Sequence, residues 1–86
     1  MESVEQLTTP VLRHLVAAGL AGQMVARGVP GGFMLVMKRR GSESTLAAQR
    51  GAPRLFRRLD TLAGFLKDLG VQSATVEFEE WDGPAT

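Results

Sequence analysis

The chain has no cysteine, no tyrosine, one tryptophan and one histidine among its 86 residues. Without cysteine there can be no disulfide and no thiolate-held metal. His14 has no second ligand at metal spacing, so the sequence predicts no metal site and no cofactor. It lies among apolar neighbours, where a packed or surface imidazole is the ordinary outcome. Ser42 and Ser44 fall in an expected turn, "GSES", with no base nearby in sequence, and their ordinary role there is turn chemistry. "GVPGG" lacks the Lys-Ser/Thr of a phosphate loop. Asp60 and Asp68, two turns apart on an expected helix, read as a solvated face. No catalytic set emerges, and the expectation is a protein that is not an enzyme.

Long apolar runs are missing too. None approaches the ~18 residues a membrane span needs. "VLRHLVAAGLAG" resembles the apolar part of a signal peptide, but Arg13 and His14 interrupt it and acids precede it. The expected location is the cytoplasm, away from membranes. Aromatics are only 6% of the chain. Phe33, Phe56, Phe65 and Phe78 are expected in the core. Phe56 is flanked by bases; were its ring exposed, it could stack on a nucleobase for about 1–3 kcal/mol. At this length one small domain is expected, residues 1–86, with 1–6 and 82–86 frayed. With no covalent staple, a homodimer would supply extra buried surface.

What the chain does have is unevenly placed charge. The formal net charge is +1. Residues 38–58 nevertheless hold seven of the ten Lys and Arg residues and one acid, Glu43. The segment "EFEEWD" at 77–82 holds four acids. Two readings of the basic stretch stand side by side. In one, Lys38, Arg39, Arg40, Arg50, Arg54, Arg57 and Arg58 contact an anionic partner, nucleic-acid phosphates above all, near a helix N-terminus that already favours anions. In the other, Glu77 and Glu79 neutralise Lys38 or Arg50 across the sheet. Trp81, with Glu79 and Glu80, is either a lid on the core or an anchor in a protein interface.

Periodicity gives the elements. "LTTPVLRHLVAAGLAG" predicts a helix with Thr8 as N-cap and Pro10 in the first turn. Leu7 and Leu12 would staple its start, and Leu12, Leu15, Val16, Gly19 and Leu20 would form its apolar face, up to a stop at Gly22. "QMVARG", "FMLVMKRR" and "TLAAQR" predict three strands joined by the turns "VPGG" and "GSES". In the second, Phe33, Leu35 and Met37 point one way and Met34, Val36 and Lys38 the other. "LFRRLDTLAGFLKDLG" predicts a second helix capped at Gly70, with Leu66 and Val71 as the apolar pair of the cap. Gly64 costs that helix about 1 kcal/mol relative to alanine, and close packing on the sheet would explain it. "SATVEF" predicts a last strand with Ala74, Val76 and Phe78 inward. "WDGPAT" reads as a loose tail. The expected fold is α+β, order α-β-β-β-α-β: an antiparallel three-strand meander plus a C-terminal strand, with helices packed on the sheet.

The stretch from "GGF" to "VEF" resembles small ParC-type partition-associated proteins of plasmids and integrative elements. The shared features are a hairpin after "GGF", the pattern R-G-x-x-R-x-F-x-x-L-D-T and a helix ending "FLKDLG" before an alternating strand. Where the family pattern has Ser or Lys before the Leu-Asp pair, this chain has Arg58. The change removes a natural helix cap and makes the stretch more basic. The resemblance implies an accessory protein of a mobile genetic element and no catalytic residues. Together with the charge pattern it leaves two functions open. One is a DNA-binding accessory protein that contacts phosphates. The other is an anti-CRISPR-like inhibitor that docks on a host defence complex by charge complementarity.

Overall fold

The computed structural model describes residues 5–48 and 51–83. They form one small α+β unit with eight elements: β1 (Glu5–Leu7), α1 (Thr9–Ala17), β2 (Gln23–Val29), β3 (Gly32–Arg39), β4 (Ser42–Leu46), β5 (Leu55–Phe56), α2 (Leu59–Leu69) and β6 (Thr75–Glu77). The sheet runs β1-β4-β3-β2-β6, with β5 also paired to β3. The centre, β2-β3-β4, is antiparallel. Both flanks are parallel, β1 to β4 and β6 to β2. The sheet is therefore mixed, where the sequence alone suggested a meander with one added strand.

The reason lies in two short strands that the sequence reading had absorbed into other things. Glu5 and Gln6 fall in the expected lead-in and Leu7 at the staple position before the first helix, while Leu55–Phe56 open the stretch expected as the second helix. Each segment is instead a strand that precedes a helix, giving β1-α1-β2 and β5-α2-β6. A helical crossover returns the chain in its original direction, so each unit joins strands that run the same way.

β4 and β5 lie along the same side of β3. Thr45 pairs with Val36 and Leu55 with Met34, so β4 and β5 are separated on β3 by Leu35 alone. Between them Ala47 and Pro53 form an isolated bridge, and the Arg54 amide donates to the Leu46 carbonyl (2.9 Å). β4 begins at Ser42 and ends at Leu46, earlier than "TLAAQR" suggests, and residues 49 and 50 of that stretch lie outside the described residues. The β3–β4 turn tightens to Arg40-Gly41, with Gly41 at φ 76. Ser42 and Ser44 are strand residues rather than turn residues, and Ser44 is buried.

Thr8 is the N-cap of α1, accepting from the Val11 amide, and Leu7 and Leu12 at the staple positions both enter the core. The helix ends earlier than Gly22. Gly19 takes φ 73, its amide donates to the Val16 carbonyl, and the Leu20 amide donates to the Leu15 carbonyl. That is a Schellman ending, and it leaves Leu20 outside the helix and exposed. α2 closes as expected: Gly70 is left-handed and the Val71 amide donates to the Leu66 carbonyl (3.0 Å).

Both helices cover one face of the sheet. Leu12, Leu62 and Leu66 meet Met24, Ala26, Phe33, Leu35, Met37, Leu46 and Phe56. β6 is shorter than "SATVEF" suggests. Val76 is half-buried, but Ala74 and Phe78 are exposed, because the strand lies at the sheet's rim and no helix reaches over them. Trp81–Gly83 are placed rather than loose. Trp81 sits over Gly28, and the Gly31 amide donates to the Asp82 carboxylate (3.3 Å). Residues 1–4 and 84–86 lie outside the described residues. No helix among the described residues is long and apolar enough to cross a membrane.

Candidate functional site

The face opposite the helices carries a charge network that starts from strand register. Val25 pairs with Val36, and both are 0% exposed although they point away from the helices. Arg27 and Lys38 stand two residues farther along the same strands and on the same face. The Arg27 guanidinium reaches Glu77 (2.7 Å) and both carboxylate oxygens of Glu43 (3.0 and 3.1 Å). The Lys38 ammonium lies 3.4 Å from Glu77 and 3.9 Å from Glu43. Two cations and two anions thus arch across the valine pair and screen it with their alkyl stems. Hydrogen bonding to Arg27 holds the carboxyls of Glu43 and Glu77 below their ordinary range. The same two bonds raise Arg27.

This network divides the predicted basic patch. Lys38 pairs with Glu77, as the neutralisation reading expects, and with Glu43. Arg39 donates to the Leu20 carbonyl (2.7 Å) beyond the end of α1. Arg40 is exposed in the β3–β4 turn. Arg54 lies over the rings of Phe56 and Phe65, 4.5 and 5.0 Å from their centroids, and lines a surface cleft with Thr8, Thr9, Pro10, Ala47 and Ala48. Arg58 forms a two-pronged bridge to Asp60 at 3.1 Å, which lowers the Asp60 carboxyl. Arg57 is exposed, its Cα close against Gly32. Arg50 lies outside the described residues.

The six described residues of the patch do not share one surface. β5 pairs with the start of β3, whereas Arg39 ends it. At ~3.3 Å per residue, about 20 Å separate Phe33 from Arg39 along the strand. Arg54, Arg57 and Arg58 gather at one end of the sheet, Arg39 and Arg40 at the other, and Lys38 faces the side away from the helices. Phe56 is buried, so its ring is closed to a base.

The proposed interface residues come together better. Phe33, Phe78 and Trp81 form a continuous aromatic cluster, with Phe33–Trp81 centroids at 5.2 Å and Phe78–Trp81 at 5.6 Å. Trp81 is half-buried, while Phe78 is 55% exposed. Glu79, Glu80 and Asp82 are exposed around them, and among the described residues none has a cationic partner.

Arg27 is the residue that sequence reading missed. Its signal was present: a lone arginine inside the apolar run "MVARGV", on a strand with Glu77 on the neighbouring β6 and Glu43 on β4, one strand beyond β3. What was hidden is the parallel pairing that sets Arg27 opposite Glu77. Among the described residues no three His, Asp or Glu side chains converge as a metal site.

A family model described as ParC-like matches residues 7–83. No curated protein and no solved structure matches the chain.

Proposed function

Since the chain belongs to the ParC-like family, we propose that it is a non-enzymatic, partition-related accessory protein of a mobile genetic element, and that it works by binding another protein. One observation carries the choice of partner. Lys38, Arg39, Arg54 and Arg58 are engaged by the chain's own carboxylates, carbonyl and rings. An exposed aromatic ring and three exposed carboxylates remain at the other pole of charge. Of the predicted patch, only Arg40 and Arg57, at opposite ends of the sheet, stay without an internal partner among the described residues; the other such cations, Arg13 on α1 and Lys67 on α2, lie outside the patch. The exposed carboxylates of Glu79, Glu80 and Asp82 equally suit an inhibitor that occupies a basic groove of a host complex, and this is the second reading of the same surface.

The test is a titration of labelled mixed-sequence duplex DNA at two salt concentrations. With two patch arginines left without an internal partner, and those at opposite ends of the sheet, any binding should be weak, with a slope of log affinity on log salt no steeper than about −2. A slope near −4.5, the value for about five phosphate contacts, would overturn the protein-binding reading. Co-purification with proteins encoded by the same element, or with a host complex, tells the two protein-binding readings apart.

A further inference from the structure

The outer edge of β6 and the exposed ring beside it form a surface with a definite chemistry. β6 ends the sheet on its side, and no described strand pairs with its outer edge. Such an edge offers main-chain donors and acceptors to an added strand. On the helix side of that edge stands Phe78, 55% exposed yet held in place by Phe33 at 6.5 Å and Trp81 at 5.6 Å. Next to it, Glu79, Glu80 and Asp82 reach solvent; Asp82 also accepts the Gly31 amide. On the opposite face of β6, Glu77 is occupied twice over by Arg27 and Lys38.

We infer that this edge takes an extended segment of a partner protein, one that carries Lys or Arg at the positions falling beside Phe78. The inference rests on the protein-binding reading above and names the partner's chemistry. A strand laid along β6 places alternate side chains on the Phe78 side. A cation there meets an aromatic face and three carboxylates not used by cations of the described chain, a combination that attracts guanidinium and ammonium groups. An acidic segment would meet like charge, and the phosphate backbone of a nucleic acid would be repelled for the same reason. Side chains on the other face meet Glu77, whose charge is already matched, so specificity is concentrated on the Phe78 side.

The test uses the full chain and a defined probe, the peptide acetyl-Val-Arg-Val-Arg-Val-amide, with the Glu-for-Arg peptide as its counterpart. Amide shifts and Trp81 fluorescence are the readouts. The Arg peptide is expected to shift Thr75, Val76, Glu77 and Phe78 and to perturb Trp81, while the Glu peptide binds at least tenfold more weakly. Phe78→Ala should weaken the Arg peptide roughly tenfold. Glu79→Lys combined with Glu80→Lys should weaken it further, while Asp68→Lys on the exposed face of α2 leaves it unchanged. Unaltered far-ultraviolet circular dichroism shows that each variant remains folded. Equal binding of both peptides, shifts mapping to Arg57 and Arg58, or indifference to Phe78→Ala would overturn the inference. If a natural protein partner still binds the Phe78→Ala variant at full strength, this edge is refuted and the protein-binding function stands. If DNA binds with the steep salt slope, both fail.

Discussion

A single missing side chain decides how the C-terminal segment closes over the sheet. A Cβ at Gly28 would lie 2.6 Å from the Trp81 Cβ and 2.8 Å from the Glu77 carbonyl oxygen. The second of these is backbone, so the sheet cannot simply move a rotamer out of the way. Gly28→Ala should therefore cost about 1–3 kcal/mol of stability in urea denaturation. Trp81 is the only tryptophan, so its emission should shift to the red as the ring loosens. Normal stability with unchanged emission would contradict the placement. Gly32 is a comparable contact: a Cβ there would strike the Phe56 carbonyl, where β5 runs beside β3.

Two glycines, one inside α2 and one capping it, have opposite meanings. Gly64 was expected to permit close packing on the sheet. It is exposed, and a Cβ there meets nothing within 4 Å. Gly64→Ala should then stabilise the protein by about 0.5–1 kcal/mol, from reduced freedom of the unfolded chain and better helix propensity. Gly70 also has room, its nearest neighbour being a Val16 methyl at 3.8 Å, but its φ is 97. Gly70→Ala should destabilise by about 1–2 kcal/mol through backbone conformation alone. Thermal or urea unfolding of the two variants checks the opposite signs. A shared sign would mean that the cap or the open face is misassigned. α2 gains no side-chain cap from Arg58, so the left-handed ending carries much of its definition.

Across the whole molecule, the charge ring ties together β2, β3, β4 and β6, and it makes stability depend on pH. Glu43 and Glu77 have folded pKa values below their ordinary 4.5, chiefly because Arg27 hydrogen-bonds them. Below about pH 4.5 the unfolded chain therefore binds more protons than the native one. The contribution of the ring is fully present above that point and is lost as pH falls through the lower folded values. Asp60, lowered by Arg58, adds to the same direction. Urea midpoints measured from pH 6 down to about pH 3 should fall in the wild type. They should fall less steeply in Arg27→Met, which starts from a lower midpoint at neutral pH. Equal slopes in the two proteins would show that Arg27 does not set these carboxyls.

The sequence by itself determined the elements whose signal is local. The Thr8 cap, the two faces of β3, the Pro30-Gly31 hairpin and the Gly70 ending with its Leu66–Val71 pair all follow from contacts within a few residues. The bias of charge toward residues 38–58 was equally legible, and so was its possible neutralisation by Glu77. Only the tertiary structure decided where that charge goes. Two- and three-residue strands such as β1 and β5 carry too little periodicity to be read; they exist because β4 and β3 offer them edges. Parallel pairing joins residues as far apart as Arg27 and Glu77, and no local pattern encodes that register. For the same reason the arginines, adjacent in sequence, part company in space, while Phe78 and Trp81, expected to face inward or trail away, meet over Phe33 at the sheet's open rim.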